Sequence, residues 1–213
     1  MLSQLFHSFS PAFEAWVMMW VMLGLLVVGV SIMVERFIFL WVRSNVNANL
    51  FMAEIKKLVS AGDFKKAIAL CRAAEEKALP KVVLAALVEA DKKEFVDYRA
   101  VQNAVDEATL EIMPRLSKRI GYLAQFGNLA TLCGLTGTVY GLIKSFEAAG
   151  ATGGGAESLA AGISVAMFTT LFGLIVALPN ILAYTILNTK ANEIIDDIDE
   201  HSVKLIHLLT GGK

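Results

Sequence analysis

Three long apolar runs, free of charged side chains, constrain this chain more than any other feature of its sequence. They cover residues 15–34, 121–143 and 158–189. A helix needs about 20 predominantly apolar residues to cross a bilayer, and each run is long enough. The third run exceeds that length at a rise of about 1.5 Å per residue, so we expect its helix to tilt or to extend into water. The predicted fold class is an all-α integral membrane protein with three transmembrane helices.

Composition argues against several other classes of protein. Hydrophobic residues make up 56% of the 213 positions and charged residues only 18%, and the net charge of −1 predicts no nucleic-acid partner. A secretory signal peptide would need Lys or Arg before its apolar segment, and none precedes the first run. We therefore interpret this run as a retained helix. Cys71 lies in a charged segment and Cys133 in an apolar one, so neither a disulfide nor a two-cysteine metal site is expected.

Positive charge is distributed unevenly between the apolar runs. Thirteen Lys and Arg residues lie between positions 43 and 118, whereas positions 1–14 and 147–157 contain none. In membrane proteins the cytoplasmic loops carry the excess of Lys and Arg. The N-terminus and the short loop are therefore predicted to lie outside, and the long segment and the C-terminal tail inside.

The long charged segment is predicted to be helical. Asp63 follows a glycine-containing break and is a candidate N-cap, and Pro80 is suited to the first turn of a further helix. An apolar stripe at helical spacing then follows. It consists of Val101, Val105, Ala108 and Ile112.

The tail, residues 192–209, is predicted to be an amphipathic helix. Five of its residues resemble metal ligands by type, namely Asp196, Asp197, Asp199, Glu200 and His201. Consecutive residues of a helix do not converge on one point, so we predict a solvated helical face here and no metal site.

The second and third runs carry small and polar side chains at helical spacing, whereas the first run is bulky and suits a helix that faces lipid. The stripe of the second run consists of Gly127, Thr131, Gly134, Thr138, Gly141 and Ser145, and that of the third of Gly162, Ala166, Thr169 or Thr170, Gly173, Ala177, Asn180 and Tyr184. Small residues let helices approach closely, so packing in a helix bundle explains the glycines about as well as a functional surface does. The hydroxyl groups lie at membrane depth, where an unpaired polar atom is costly, and they favour a shared surface that tolerates polar groups.

Asp, Glu, Lys, Arg and His are absent from the second and third runs. A proton relay or ion site inside a membrane needs a charged or titratable group. The chain could therefore line an ion path, but another protein must supply the carboxylate. The spans also contain no nucleophile, metal cluster or carboxylate pair that a membrane enzyme would need, so neither an enzyme nor a cofactor is expected.

Short motifs stand out in the two inner runs, namely GLTGTVYG at residues 134–141, GIS at 162–164, TLFGL at 170–174 and ALP at 177–179. The first is similar to the second-span motif of ExbB and TolQ and the other three to their third span, so the chain resembles the MotA/TolQ/ExbB proton channel family. The similarity extends to VER at 34–36 and GDF at 62–64. MotA has four spans, so three spans favour the ExbB/TolQ-like branch.

The resemblance implies a pentamer around a central pore lined by the second and third spans. Two single-span partner chains, similar to ExbD or TolR, would occupy the pore and supply the membrane Asp, and a TonB- or TolA-like energy transducer is a further candidate partner. The chain would then be the channel-forming stator subunit of an ion-driven motor, driven by protons, in the bacterial inner membrane. The implied segments are a periplasmic arm (1–14), transmembrane helices at 15–42, 121–146 and 158–189, a helical cytoplasmic domain (43–120), a short periplasmic loop (147–157) and a cytoplasmic tail (190–213).

Site residues follow from the same resemblance. The family's lumen threonines map onto Thr138 and Thr170. The predicted ion-pathway residues are Thr138, Thr170, Thr169, Ser164 and Asn180, and the predicted helix-packing residues are Gly134, Gly137, Gly141, Gly162, Gly173 and Pro179.

The sequence departs from the family pattern at two positions. Val165 stands where ExbB-like chains usually carry a Glu, and Asn180 stands where a small apolar residue is more usual. No role of that Glu can be carried over to this chain. A structural scaffold without ion flux, and the stator of a related gliding or motility machine, remain as alternative functions.

Overall fold

The computed structural model describes residues 16–44, 46–92, 97–152 and 156–211, and these are helical with short connections. The N-terminal arm predicted at 1–14 and the end of the tail at 212–213 lie outside the described residues. The helices are α1 (Trp16–Ile38), continued by a π-helical stretch (Phe39–Ser44), α2 (Ala48–Ser60), α3 (Phe64–Ala73), α4 (Ala78–Asp91), α5 (Tyr98–Ser117), α6 (Ile120–Thr152) and α7 (Ala156–Leu209).

The chain divides into two compact units. The apolar unit comprises the described residues up to Glu35 together with Arg119–Ile186, and the charged unit comprises Arg36–Lys118 together with the described residues from Leu187 onward. Three helical stretches are long and apolar enough to cross a membrane by length and composition, namely Val17–Ser60, Tyr98–Gly150 and Gly162–Leu209. The all-helical class and the presence of three helices that could span a membrane are therefore confirmed.

Side-chain caps begin α2, α3 and α5 of the charged unit. The Asp63 carboxylate accepts a hydrogen bond from the Lys66 backbone N–H at 3.4 Å, as predicted for the N-cap of α3. Gly62 precedes it with φ of +74°, a left-handed conformation that glycine adopts without steric cost. Pro80 is the third residue of α4, in the first turn, where its missing N–H leaves no helical bond unmade.

The core of the charged unit lies around α4, which packs against α3 and α5. The α5 stripe is confirmed, since Val101, Val105 and Ile112 are at most 5% exposed. The predicted solvated face of the tail needs one correction. His201 is only 5% exposed. It lies three residues after Ile198 and four before Leu205, so all three side chains share the apolar face of the helix.

The helices of the apolar unit extend further than the apolar runs alone. Most of the segment predicted as the loop at 147–157 is helical, because α6 continues to Thr152 and α7 begins at Ala156. The alanines after Glu147 favour helix, and a Lys144–Glu147 pair at 2.9 Å supports the last turns of α6. The 54 residues of α7 include both the third span and the predicted tail helix, which gives a helix about 80 Å long.

Arg119 separates the charged helix α5 from the apolar helix α6. Its φ of +65° is unusual for a residue with a side chain and breaks the helix between Ser117 and Ile120. Its guanidinium Nη1 lies 3.0 and 2.9 Å from the two carboxylate oxygens of Glu35, at the end of the part of α1 that belongs to the apolar unit. The pair therefore ties α1 to the start of α6.

Candidate functional site

The centre of the apolar unit is a close contact between the backbones of α6 and α7. A Cβ placed on Gly173 would lie 2.7 Å from the Ala130 carbonyl oxygen and 3.0 Å from the Gly134 Cα. A Cβ on Gly134 would lie 3.2 Å from both the Gly173 Cα and the Thr169 carbonyl oxygen. Only glycine allows this approach, so the two glycines set the distance between the helices.

The same contact continues along both helices. A Cβ on Gly137 would meet the Thr169 hydroxyl at 2.8 Å, and one on Gly141 would meet the Ala166 Cβ at 3.0 Å. Further along, Gly162 receives the side chain of Ser145, whose hydroxyl would overlap any added Cβ. The small residues of α6 thus pack on those of α7 within one chain, which is the packing explanation that the sequence left open.

A cluster of three threonine hydroxyls lies inside this contact. The Thr138 and Thr170 hydroxyls are hydrogen-bonded to each other across the two helices. The Gly134 carbonyl oxygen lies 3.1 Å from the Thr138 hydroxyl, 3.2 Å from that of Thr170 and 3.5 Å from that of Thr169, and because each hydroxyl has a single proton these contacts are alternatives to the other bonds of the cluster. Since Gly134 has no side chain, its carbonyl is open to hydroxyls from both helices.

Burial divides the predicted ion-pathway residues into two groups. Thr169 is fully buried and donates to the Ala166 carbonyl at 2.7 Å, so its hydroxyl is already satisfied inside the chain. Thr138 and Thr170 are half-buried, and Ser164 is exposed. The structure therefore brings Thr138, Thr169 and Thr170 together, but only the first and last of them keep part of their surface accessible.

Asn180 occupies a separate buried position on α7, about three helical turns after Thr170. It is 1% exposed, and its Nδ2 donates to the Val176 carbonyl at 2.8 Å. Its Oδ1 has no hydrogen-bond partner among the described residues and points at Gly29 of α1, where an added Cβ would overlap it. Pro179 lies next to it inside α7 and is half-buried.

The contact between Gly29 and Asn180 was not predicted from the sequence. The first run contains two glycines among its bulky residues, Gly24 and Gly29, and nothing local distinguishes the one that contacts another helix. The bulky side of α1 was predicted to face lipid, and Val27, Val28 and Val34 are indeed about half exposed. Another side of α1 contributes Met19 and Met22 to a buried cluster with Phe172 and Val176, so α1 also packs on the inner helices.

The chemistry available at the threonine cluster is hydrogen bonding. Hydroxyl groups do not titrate near neutral pH, but they can donate to an ionised carboxylate and accept from a protonated one. The sequence has no Asp, Glu, Lys, Arg or His between residues 121 and 143 or between 158 and 189. Within the described part of the chain no group of three or more His, Cys, Asp or Glu residues could hold a metal ion.

Three helices long and apolar enough to cross a membrane, a charged helical unit and hydroxyls between the inner helices define a class of helical membrane protein. The sequence model of the MotA/TolQ/ExbB proton channel family matches residues 74–200. The chain therefore belongs to this family, as its motifs predicted.

Two relatives show how the similarity is distributed. The Tol-Pal system protein TolQ of Haemophilus influenzae is 31% identical over 120 residues, which cover 54% of this chain and 52% of that protein. The biopolymer transport protein exbB1 of Vibrio cholerae is 36% identical over 92 residues, which cover 42% of this chain and 40% of that protein. The chain thus spans about half the length, or less, of these relatives.

The fold also has a counterpart among solved structures. A chain from the structure of C. jejuni MotAB aligns with a TM-score of 0.59 and 17% identity, covering 86% of this chain and 68% of that one. At this identity the likeness concerns the fold alone. TolQ and ExbB proteins among the sequence relatives fit the ExbB/TolQ-like branch.

Proposed function

We propose that this chain is the channel-forming stator subunit of an ion-driven motor in a bacterial inner membrane. The observation that carries the proposal is the hydroxyl pair of Thr138 and Thr170. It lies on the two helices that match the family, at membrane depth, and it keeps part of its surface accessible. A packing role alone would be served by alanine or valine at these positions without the cost of placing polar atoms in an apolar span.

The proposed assembly is a homopentamer around a central pore that holds single-span partners of the ExbD or TolR kind. Large apolar side chains on both inner helices support an assembly, because they are about half exposed or more in the single chain. They include Leu132, Leu135 and Val139 on α6 and Met167, Leu171 and Leu178 on α7. Lipid and neighbouring subunits would share these surfaces. The N-terminus would be periplasmic and the C-terminus cytoplasmic.

The mechanism follows from the missing carboxylate. The partner's membrane Asp, when ionised, would accept hydrogen bonds from Thr138 and Thr170, which offsets part of the cost of burying its charge. An incoming proton then protonates this Asp and removes its charge. The partner helix can then leave the hydroxyls and face an apolar wall, and repetition turns one set of subunits against the other. Thr169 and Asn180 have no part in this mechanism, since both are buried within the chain.

The decisive experiment replaces both hydroxyls while keeping side-chain shape. The complex with its co-purifying single-span partner is reconstituted into liposomes, and ion influx under an imposed potential is followed with an internal pH-sensitive dye. A hydrogen bond to a charged group contributes about 1.5–3 kcal/mol. The double variant Thr138→Val, Thr170→Val should therefore lose roughly tenfold or more of the flux while still assembling.

Two control variants make the result specific. Thr138→Ser with Thr170→Ser keeps both hydroxyls and should retain most of the flux. Thr136→Val removes an exposed hydroxyl bonded only to the Leu132 carbonyl, at 2.8 Å, and should leave the flux within about twofold, since no bond to a charged group is lost. Full flux in the double valine variant would remove the hydroxyls from the ion path.

The scaffold function is tested by the same preparation. A structural subunit of a membrane complex would assemble with its partner and leave the liposomes as impermeable to ions as liposomes without protein. Such a result would favour the scaffold over the motor. The glycine contact between α6 and α7 is compatible with either function, so the threonine variants are needed to separate them.

A further inference from the structure

A cavity of 360 Å³ lies in the charged unit where the π-helical stretch after α1 meets the start of α4 and the end of α5. Its lining includes four cationic side chains, Arg43, Lys77, Lys81 and Arg115. They outnumber its two carboxylates, Glu75 and Glu76. Phe39, Ile112 and Leu116 form an apolar part of the wall, so the cavity combines positive charge with hydrocarbon surface.

Two of the four cations share one carboxylate, Glu111, which lies outside the cavity lining. Glu111 accepts from Lys81 at 2.8 Å and from Arg115 at 2.5 Å. The hydrogen bond from Lys81, and then that cation's charge, lower the pKa of Glu111 below its usual value, so this carboxylate is charged at neutral pH. Arg43 and Lys77 do not contact Glu111, so they are the lining cations most available to a bound anion.

Arg43 and Lys77 form at most weak ion pairs with the described residues. The Arg43 Nε lies 3.6 Å from a Glu76 carboxylate oxygen, and both side chains are more than 60% exposed, a geometry in which an ion pair contributes little. Lys77 forms no ion pair with the described residues. It precedes α4 without a side-chain cap, so the backbone N–H groups of the first turn add a partial positive charge at the Ala78 wall of the cavity.

The cavity lies beside a segment suited to a membrane surface. Phe37 and Ile38 are each about half exposed and Val42 is 71% exposed, so apolar side chains point outward up to the residue before Arg43. Trp41 stacks on Phe37 with ring centroids 4.6 Å apart, and such aromatic side chains favour the interface between hydrocarbon and water. Because Glu35 and Arg36 end the charge-free run just before it, this segment is suited to the interfacial layer next to the hydrocarbon, which places Arg43 at headgroup depth.

We propose that this cavity binds the phosphate of an anionic membrane lipid, held by Arg43, Lys77 and the first turn of α4, with the acyl chains lying along Phe37, Ile38 and Val42. A lipid is favoured over free phosphate because only a lipid uses both the cations and the exposed apolar segment. Glu75 and Glu76 lower the affinity of the cavity for every anion. Small, highly charged anions gain nothing from the apolar wall to offset this loss, so the cavity favours a lipid over them.

The test counts lipids on the intact membrane complex by native mass spectrometry during titration with phosphatidylglycerol or phosphatidylcholine. Each cation near an anionic surface contributes a factor of about five to binding. The variant Arg43→Gln, Lys77→Gln should therefore bind phosphatidylglycerol roughly 30-fold more weakly. The control variant Lys57→Gln, Lys65→Gln removes the same charge from exposed residues outside the cavity and should bind it like the wild type.

A variant of opposite sign makes the test stricter. Glu76→Gln removes a carboxylate from the wall and frees Arg43, so it should bind phosphatidylglycerol more tightly, by a factor of about five. Phosphatidylcholine binding should change little in any variant. The site would be overturned if the cavity and control variants lost phosphatidylglycerol binding equally, or if Glu76→Gln did not bind it more tightly. Displacement of the lipid by millimolar inorganic phosphate would show that the lipid is not the ligand.

Discussion

Replacing Gly173 with alanine tests whether backbone atoms fix the close approach of α6 and α7. The added Cβ would lie 2.7 Å from the Ala130 carbonyl oxygen and 3.0 Å from the Gly134 Cα. Both neighbours are backbone atoms of a helix and cannot rotate away. The helices would have to separate by about 0.5 Å, a gap that forfeits roughly a quarter of the dispersion attraction between facing atoms.

The expected magnitude combines two opposing effects. Overpacking of a well-packed interior costs about 1–3 kcal/mol. Alanine regains about 1 kcal/mol over glycine through its higher helix propensity. The net loss should therefore be up to about 2 kcal/mol. For a chain of this length a loss of about 2 kcal/mol lowers Tm by about 4–8 °C, so the expected decrease lies between zero and that value.

Two further glycines provide a graded comparison. A Cβ on Gly24 meets nothing within 4 Å, so Gly24→Ala should leave Tm unchanged or raise it. A Cβ on Gly127 meets the Ile181 Cγ1 at 2.6 Å, and because a side chain can move, Gly127→Ala should fall between the two. Thermal unfolding of the detergent-solubilised proteins measures the order. If Gly173→Ala and Gly24→Ala had the same Tm, the backbone contact would not hold these helices together.

Two other predictions follow from buried contacts. Gly29→Ala should lower Tm because its Cβ overlaps the Asn180 Oδ1, and adding Asn180→Ala should restore it; a coupling below about 0.5 kcal/mol in this double-mutant cycle would contradict the contact. Burial raises the pKa of the Cys71 thiol to about 12, which favours the neutral form at pH 8. In a variant whose other cysteine is alanine, maleimide should therefore modify Cys71 roughly 1,000-fold more slowly than a free cysteine until the protein is unfolded, and rapid mass addition to the folded protein would contradict this burial.

The sequence by itself determined the three spans, the helical character of the charged segment and the family. Each depends on local or repeated patterns. Charge-free runs of sufficient length are readable without any partner, because a bilayer imposes a fixed length on a helix. The N-cap at Asp63 is equally local, since the residue and the N–H that it accepts are three positions apart.

Only the tertiary structure decided which surfaces the small residues face. The stripes of α6 and α7 were consistent with a lumen or with packing, because helical spacing places residues on one face without saying what covers it. In the structure the glycines pack on each other, Thr169 is enclosed, and Thr138 and Thr170 remain partly accessible. Contacts such as that of Gly29 with Asn180 join residues 151 positions apart, and such pairings are fixed by the packing of whole helices and leave no local pattern to read.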